Sequence, residues 1–568
     1  MKTWIKYLFA LLILIAVGIG GYFVGQKNRT IYLIGSPNMT ALDKLEATLD
    51  LVEKFYVDSV DPEYLVQDMI PALMAQLDPH STYLTAEERA AEAESMEGAF
   101  FGIGVSFNYL LDTIVVLDVV PNGPSDIAGI RPGERITKVD GVSYEGLDIT
   151  PDSVRSRLKG EEGSFVDLTL RDPVKGTTRE VTVKRGAVSV STVEASYMRS
   201  DSLGVIKLSS FGANTYTDFM KAYARLQQKG AKGIVLDLRG NPGGVLEPAL
   251  RLSNEVLPAG SLIMYMEGKS VPREDFGSDG TGSLIGLPFY ILIDELSASA
   301  SEIVSGALQD NDAAIIIGRR SFGKGLVQKL YEYKDGSSIH LTIARYYTPS
   351  GRSIQRQYTL GDERGYNQDW IDRIAGGELF SKDSIHFDPE LLYHTAANRP
   401  VYGGGGIMPD IFIPQDTVGL NSYTNQIFSK GIVPEYAFLY ADKYRNLLKR
   451  LKTNEDAISF LKRQSLVWKM ANHANDKYGI RVKSYLVNQA KGQLERVLIS
   501  GILSYTYGRD AAEEYLMRED PTLTAADELF KAGIYSPIDI PDEKVLLKDE
   551  IVEQVTDSIG APQKQGTI

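Results

Sequence analysis

The sequence contains no cysteine and only five histidines and three tryptophans among its 568 residues. The lack of cysteine excludes disulfides, thiolate catalysis, iron–sulfur clusters and a lipid-modified N-terminal cysteine. The histidines form neither a His-Glu-x-x-His motif nor a serine-hydrolase triad signature, which argues against metal-dependent hydrolysis. We therefore expect no metal and no cofactor. The histidines are His80, His340, His386, His394 and His473.

Basic residues are also in deficit, with 60 Lys and Arg against 74 Asp and Glu. A net charge of −14 argues against nucleic acid as the main partner. The 43 % apolar and 24 % charged residues are ordinary for globular proteins, so disordered and fibrous classes are excluded. At roughly 150 residues per domain, the length predicts three to four domains.

Only one long hydrophobic run is present, the uncharged stretch Tyr7–Val24. Its 18 residues would span about 27 Å as a helix, just enough for a bilayer. Lys2 and Lys6 precede the run, and Gln26-Lys27-Asn28-Arg29 follows it. The exit Gly21–Gly25 is a poor cleavage site, so an uncleaved membrane anchor is favoured over a signal peptide or a buried core helix. The remaining chain is expected to work in water.

Changes in periodicity divide the rest of the chain. Leucines three and four apart predict packed or dimerising helices over 40–78, and short β-rich runs with one helix, Pro151–Lys159, predict a compact β module over 99–186. From 203 strands alternate with helices, which predicts a largely parallel or mixed sheet. Residues 361–400 look like an insertion, and a polar tail follows Pro541. The predicted domains are a membrane anchor (1–29), a helical segment (30–96), the β module (97–186), an α/β core (187–415) and a C-terminal helical extension (416–568).

Two segments of the predicted core could supply a nucleophile and a base. Ser297-Ala-Ser299-Ala-Ser301-Glu302 stands between a predicted strand and a helix, where a serine oxygen meets the positive end of the helix dipole. The same pattern is also typical of a simple helix cap. A serine hydrolase without histidine can use a neutral lysine whose pKa burial has lowered, and Lys324 fits by its context. A glycine-flanked lysine is otherwise an ordinary solvated turn residue.

Three glycine-rich segments invite functional interpretation. Asp237-Leu-Arg-Gly-Asn-Pro-Gly243-Gly244 can direct backbone N–H groups at an oxyanion, or it is simply a strand-to-helix turn. Gly102-Ile103-Gly104-Val105 can form a nest for a terminal carboxylate beside a strand edge, or it is any glycine-rich strand entry. Gly318–Lys324 imitates a nucleotide-binding loop, but Gly325 replaces the required Ser or Thr and a strand follows. An NTPase is therefore disfavoured.

The order of these segments resembles the carboxyl-terminal processing (tail-specific) proteases, which are Ser-Lys peptidases that carry a PDZ domain. The resemblance covers about residues 40–415 and rests on four blocks. These are Leu77–Leu84, the PDZ-like stretches Phe101–Val105 with Ala128–Ile136 and Val139–Val142, the core-like stretches Asp237–Gly244 and Ser297–Glu302 with Ser321–Gln328, and the closing segment Gly403–Asp410.

The resemblance implies a role for each matched residue. Ser299 would be the nucleophile, Lys324 the general base and Gln328 the group that orients the lysine. The amides of Ala300 and of Gly243 or Gly244 would form the oxyanion hole. Gly102, Ile103, Gly104 and Val105 would bind the peptide terminus. In a straight strand Lys324 and Gln328 would lie ~13 Å apart, so their contact requires a bend, which Gly325 could permit.

These expectations describe a multidomain mixed α/β (α+β) protein with a membrane helix, a helical segment, a PDZ module, a crotonase/ClpP-like protease core and a helical extension. The predicted function is a serine endopeptidase that acts through an acyl-enzyme, anchored by one helix in a bacterial inner membrane with its catalytic part in the periplasm or at the cell exterior. The expected partners are protein substrates with free apolar C-termini, the membrane, a second copy of the chain and an activating protein. The alternative is a non-catalytic PDZ scaffold on a degenerate protease core.

Overall fold

The computed structural model describes residues 2–27, 38–110, 113–146, 149–173 and 175–540. These residues fall into two compact units, divided between Gln76 and Leu77. The polar tail predicted after Pro541 and residues 28–37 of the predicted helical segment lie outside the described residues. The domain boundaries at 29, 96, 186 and 415 stay predictions.

The described residues of the first unit form three helices. They are α1 (Lys2–Lys27), α2 (Ala41–Phe55) and α3 (Pro62–Met74). Within α1, the 19-residue stretch Trp4–Tyr22 is long and apolar enough to cross a membrane, and none of it is buried. Helix α2 begins at a capping box of Thr40 and Asp43, and α3 begins at Asp61 with Pro62 in its first turn. The helices expected over 40–78 are therefore confirmed.

The second unit opens with a strand and a helix, and a β module follows them. Its elements are β1 (Thr82–Leu84), α4 (Ala86–Glu97), β2 (Ala99–Gly102), β3 (Val105–Leu110), β4 (Thr113–Val119), α5 (Pro124–Ile127), β5 (Arg135–Val139), β6 (Val142–Ser143), α6 (Pro151–Leu158), β7 (Phe165–Arg171), β8 (Thr178–Lys184) and β9 (Gly186–Ser189). Strands β3-β4-β5-β7-β8, with β6 on β5, form an antiparallel sheet. The prediction of a single helix in this module was wrong, because a second, one-turn helix, α5, begins at Pro124 inside an expected loop.

The α/β core is built on a six-stranded sheet in the order β10-β11-β12-β15-β16-β21, whose last strand is β21 (Ile411–Phe412). All neighbours are parallel except β10 and β11. Its elements are β10 (Val193–Met198), β11 (Leu203–Leu208), α7 (Thr215–Gln228), β12 (Gly233–Asp237), α8 (Leu246–Val256), β13 (Leu262–Glu267), β14 (Glu274–Gly277), β15 (Phe289–Ile293), α9 (Ala300–Asp310) and β16 (Ile315–Gly318).

Both faces of this sheet are buried, which explains the continuous apolar runs of its strands. On one face Ile234 and Ile291 pack with residues of α7, α8 and α9. On the other face Tyr290 and Leu292 pack with Leu523 of the C-terminal helices. The expected largely parallel sheet is confirmed.

A second, antiparallel sheet lies beside the first. Its remaining strands are β17 (Leu326–Glu332) and β18 (Ser338–Tyr347), and its order is β1-β18-β13-β14 with β17 also paired to β18. Strand β1 therefore pairs with the core, although it precedes the β module in the sequence. The predicted insertion contains α10 (Glu363–Ala375) and the hairpin β19 (Leu392–His394) and β20 (Pro400–Tyr402), and β21 (Ile411–Phe412) then closes the first sheet.

The rest of the described chain is helical, as expected. The helices are α11 (Ser422–Ser429), α12 (Ile432–Lys443), α13 (Arg445–Leu448), α14 (Asn454–Lys462), α15 (Leu466–Tyr478), α16 (Ser484–Gln489), α17 (Lys491–Tyr507), α18 (Arg509–Leu516) and α19 (Pro521–Lys531). Helices α11 to α18 share one apolar core, whereas α19 packs on the α/β sheet.

Candidate active site

Three loops of the α/β core and strand β17 meet at one cleft of about 650 Å³. Ser299 and Ala300 come from the turn between β15 and α9, and Gly243 and Gly244 come from the turn after β12. Lys324 precedes β17, and Gln328 lies on that strand; both line the same cleft. Helix α4 adds Arg89, Glu92, Ala93, Met96 and Glu97 to the lining. The structure therefore brings together all six residues that the resemblance selected for catalysis.

Ser299 has a strained backbone at the start of α9. Its φ of 54° and ψ of −114° lie in a region that non-glycine residues rarely adopt, at a cost of about 1–3 kcal/mol. The surrounding hydrogen bonds hold this conformation. The Ser299 N–H donates to Glu302 Oε2 (2.8 Å), and the Ser299 carbonyl accepts from the Glu302 N–H (2.8 Å) and the Tyr346 hydroxyl (3.3 Å). The serine occupies the helix-cap position, and its side chain also faces the cleft.

Lys324 is largely buried, and its position is fixed by both main chain and side chain. Its N–H donates to Glu302 Oε2 (2.9 Å), and its carbonyl accepts from the Tyr346 hydroxyl (3.0 Å). Burial lowers the pKa of the Lys324 ammonium, while the negative charges of Asp78, Glu302 and Glu92 oppose that shift. Lys324 is therefore not the solvated turn residue of the alternative interpretation.

Gln328 reaches Lys324 despite the strand geometry. The lysine Nζ donates to Gln328 Oε1 at 3.0 Å. Lys324 and Gly325 precede the regular strand β17, so the separation expected within a straight strand does not apply to them. The pairing of β17 with β18 also shifts register between Val327 and Gln328, where Ile343 of β18 is left unpaired. The Gly325 N–H donates to the Gln355 side chain (2.8 Å). The Gly318–Lys324 segment runs into strand β17, in contrast to the helix that a nucleotide-binding loop requires.

Glu302 connects the serine turn to the lysine loop, a role that the sequence did not reveal. Its fully buried carboxylate accepts bonds from the N–H groups of Ser299, Gly323 (2.7 Å) and Lys324, and from the Ser321 hydroxyl (2.5 Å). Burial raises the pKa of Glu302, and these hydrogen bonds counteract the rise. The one sequence signal was the spacing of Ser299 and Glu302, three residues apart, which also describes a common capping box.

The two candidate glycines differ in what their N–H groups contact. The Gly243 N–H donates to Asn241 Oδ1 (2.9 Å). Gly244 forms a parallel bridge with Phe211, in which its neighbours Gly243 and Val245 make the hydrogen bonds. The Gly244 N–H therefore faces away from Phe211. Among the described residues, neither Gly244 nor Ala300 has a partner for its N–H.

The segment before the β module also reaches the site. The His80 carbonyl accepts a bond from Gln328 Nε2, and the His80 ring contacts the Tyr366 hydroxyl through Nε2 (3.1 Å). Burial, and then the nearby Lys324, lower the pKa of His80 to about 4. Sequence reasoning missed this contact, because residues 77–84 lie far from Gln328 along the chain and carry no catalytic pattern.

A second groove, of about 430 Å³, runs between β3 and α6 of the β module. Ile103, Gly104 and Val105 line it, together with Leu158 of α6. Gly102 does not line it, because it pairs with Gly186 in the β2–β9 ladder. In the part of the chain that the structure describes, the N–H groups of Ile103 and Gly104 have no partner. The described residues contain no group of three or more carboxylates and histidines suited to a metal ion.

Comparison with known proteins identifies three regions of the chain. Residues 202–364 match Peptidase family S41, and residues 115–172 match the PDZ domain. Residues 423–508 match a family of unknown function, DUF8443. The protease core and the PDZ module expected from the resemblance are both confirmed.

Individual relatives agree with these matches. The carboxy-terminal processing protease CtpA of Bacillus subtilis (strain 168) is 31 % identical over 360 residues, which cover 63 % of this chain and 76 % of that protein. A probable CtpA-like serine protease of Staphylococcus aureus (strain COL) is 33 % identical over 361 residues, covering 62 % and 71 %. The solved photosystem II D1 C-terminal processing protease is 30 % identical, covers 54 % of this chain and 83 % of its own, and has a TM-score of 0.30.

The mixed α/β core, the PDZ module and the similarity to CtpA lead to one assignment. The chain belongs to the carboxyl-terminal processing proteases, serine peptidases of family S41.

Proposed function

We propose that the chain is an endopeptidase with a Ser299–Lys324–Gln328 site that acts on proteins recognised through their free C-termini. One observation carries this proposal. A serine on a strained turn shares a cleft with a buried lysine whose pKa is lowered and whose amino group is held by Gln328 at 3.0 Å. A lysine of this kind can be neutral and act as a general base near neutral pH.

The reaction follows from this arrangement. Ser299 Oγ attacks the peptide carbonyl carbon, and its proton moves to the neutral Lys324 Nζ. The resulting ammonium returns the proton to the leaving amine, the C–N bond breaks, and an acyl-enzyme ester remains. Water then attacks the ester with Lys324 again as the base, which releases the new C-terminus and restores Ser299.

The tetrahedral intermediate carries an oxyanion, which needs two N–H donors. Gly244 and Ala300 are the better pair, because both N–H groups have no partner among the described residues, whereas Asn241 already engages Gly243. The Ala300 N–H also lies at the positive N-terminus of α9. Gly243 then acts through its shape, since a Cβ there would approach the Ala300 nitrogen to 2.8 Å.

The PDZ module is proposed to capture the substrate's C-terminus. The N–H groups of Ile103 and Gly104 suit a terminal carboxylate, and the edge of β3 can accept an extended peptide. The lining by Phe107 and Leu158 favours an apolar terminal side chain. On this interpretation, the glycine-rich segment that leads into the strand binds the peptide terminus, but Gly102 takes no part in the binding.

Helix α1 is proposed to anchor the protein in a bacterial inner membrane, with the catalytic part in the periplasm. Its 19-residue apolar stretch supports the anchor. Helix α2 has no buried residue, and its Leu42 and the Tyr56 that follows it are exposed, which supports the expected dimer through a second copy. Sedimentation of the full-length protein in detergent tests the dimer: a monomer would contradict it.

The function is tested with the full-length protein in detergent. An unfolded polypeptide is offered with a free apolar C-terminus or with the same terminus amidated, to the wild type, Ser299→Ala and Lys324→Ala. We expect cleavage by the wild type only, and slower cleavage of the amidated form. Equal cleavage of both forms would remove the PDZ capture role. Binding of the free terminus without any cleavage would favour the scaffold, or an enzyme that needs the expected activating protein.

A further inference from the structure

Asp78 organises the turn that meets the catalytic strand. We propose that Asp78 is a positioning residue: it holds the turn 78–81 so that the His80 carbonyl fixes the Gln328 amide with its oxygen toward Lys324. This inference rests on the proposed function, because it concerns how the proposed base is oriented.

Asp78 is only 8 % exposed, and its carboxylate accepts several hydrogen bonds. Its Oδ1 accepts from the N–H groups of His80 (2.9 Å) and Ser81 (3.0 Å), and its Oδ2 accepts from the Ser81 hydroxyl (2.5 Å). A carboxylate that closes its own turn in this way fixes the peptide planes between residues 78 and 81. The direction of the His80 carbonyl is therefore set by Asp78.

The turn is also attached to the strand that faces Gln328. The Thr342 hydroxyl donates to Asp78 Oδ1 (3.0 Å), and the Thr342 N–H donates to the Ser81 hydroxyl (3.1 Å). Thr342 is the cross-strand partner of Gln328 in the β17–β18 ladder. The turn and the glutamine are thus held by the same residue, so the sheet fixes the distance between them.

The chemistry of an amide explains why this contact matters. A glutamine side chain offers an acceptor on one side and a donor on the other, and its orientation is decided by its partners. A backbone carbonyl can only accept, so the His80 carbonyl selects Gln328 Nε2 and leaves Oε1 for Lys324 Nζ. In the opposite orientation the amide would donate to the lone pair of the neutral lysine. That lone pair must take the proton of Ser299, so a reversed amide would block the base.

The His80 ring takes no part in this arrangement. Its Nε2 contacts the Tyr366 hydroxyl, and the two rings meet edge to face at 5.4 Å. With a pKa of about 4, the His80 ring is neutral near neutral pH. Any residue that keeps the turn can therefore supply the carbonyl, and Asp78 is the side chain to test.

The test must separate the effect of the Asp78 charge from its effect on the turn, because the carboxylates of Asp78, Glu302 and Glu92 all raise the pKa of Lys324. Asp78→Asn and Asp78→Ala both remove the charge. Only asparagine keeps an oxygen for the His80, Ser81 and Thr342 donors, while its amide can donate to the Ser81 hydroxyl. A matched control is Asp279→Ala, which breaks a similar turn around Thr281 outside the cleft.

The full-length variants are assayed in detergent across pH on the free-terminus polypeptide. We expect Asp78→Ala to lower kcat about tenfold or more with little change in KM, and Asp78→Asn to stay within about threefold of the wild type. Both should move the acid limb of kcat/KM to lower pH by the same amount, since both remove one negative charge near the base. Asp279→Ala should leave kcat and the pH profile unchanged. Equal kcat values for the Asn and Ala variants would overturn the inference.

A second variant keeps the inference falsifiable if Asp78→Ala does not fold. Gln328→Glu retains an oxygen for Lys324 but places another oxygen against the His80 carbonyl. We expect its kcat to stay low even at a pH where Lys324 is neutral; full recovery there would refute the inference. Hydrolysis that persists in Ser299→Ala would instead refute the proposed function. Loss of hydrolysis in Ser299→Ala with an active Asp78→Ala would refute this inference alone.

Discussion

Replacing Glu302 by glutamine tests whether the serine turn and the lysine loop are held together by one carboxylate. Glu302 Oε1 serves Ser321 and Gly323, and Oε2 serves Ser299 and Lys324. A glutamine can keep only one of these oxygens. The better orientation places the amide nitrogen at Oε1, where the Ser321 hydroxyl can accept but the Gly323 N–H is left without a partner.

The size of the effect follows from these bonds. A stranded buried N–H costs about 1–3 kcal/mol, and two further bonds lose the assistance of the charge. Removal of the charge returns part of the desolvation penalty, which is why burial raises the pKa of Glu302. We therefore expect a net loss of about 2 kcal/mol, which lowers the unfolding midpoint of the core by about 5 °C.

Activity should fall more than this stability loss alone would explain. The Ser299 and Lys324 N–H groups keep an amide oxygen at the Oε2 position but lose its charge, and the Gly323 N–H next to Lys324 loses its partner, so both loops are held less firmly and we expect kcat to fall at least about tenfold. The charge of Glu302 raises the pKa of Lys324, so its removal should lower that pKa further. The acid limb of kcat/KM should then move to lower pH.

Thermal unfolding and a pH–rate profile of the full-length variant measure both effects. Glu255→Gln is the matched control, because Glu255 is a nearly buried carboxylate that accepts from Tyr216 and Ser283 away from the cleft. It should lose stability and keep its activity. A Glu302→Gln enzyme with wild-type kcat, or with an acid limb at higher pH, would refute the reasoning.

Three further predictions concern the same site. In the wild type, kcat/KM should rise with pH as Lys324 loses its proton, with a midpoint below the ordinary lysine pKa of about 10.4, because burial disfavours the ammonium. A midpoint at the ordinary value would contradict the buried base. Gly244→Ala would place a Cβ 2.1 Å from the Phe211 carbonyl oxygen at a φ of 142°, so the turn must shift and kcat should fall by about 10²-fold or more; a folded variant with wild-type kcat would show that the reaction does not depend on the exact position of this turn. Asp520→Ala removes the carboxylate that accepts a hydrogen bond from Arg239 Nη1 (2.9 Å). Arg239 lies just after β12, where the chain enters the glycine turn. The kcat of this variant should fall severalfold with KM unchanged, and wild-type steady-state kinetics would show that this contact does not affect the turn.

The sequence predicted the elements of the core well, because local patterns determine them. The parallel strands carry unbroken apolar runs, and the start of α9 at Ser299 follows from a strand, a serine cluster and an apolar helix. The candidate residues Ser299, Lys324 and Gln328 came from a resemblance of motif order, and the structure places them in one cleft. Their proximity was not visible in the spacing alone.

The contacts that the sequence missed all join distant segments. Strand β1 pairs with β18 across the whole PDZ module, and this pairing brings His80 to Gln328. The register shift between Val327 and Gln328 leaves Ile343 of the partner strand unpaired, and no pattern in the sequence announces it. Glu302 looked like an ordinary cap, because its partners Gly323 and Lys324 follow only after another strand.

The second covered face of the core sheet has a consequence for the order in which the chain matures. Tyr290 and Leu292 of the catalytic sheet are covered by Leu523 and its neighbours on α19, near the end of the described chain. Synthesis begins at the N-terminus, so the strands that carry the serine turn are made long before their cover. Until α19 has been made, that face of the sheet has no cover from it. The catalytic sheet is therefore complete only after almost all of the described chain has been synthesised, which delays formation of the site until then.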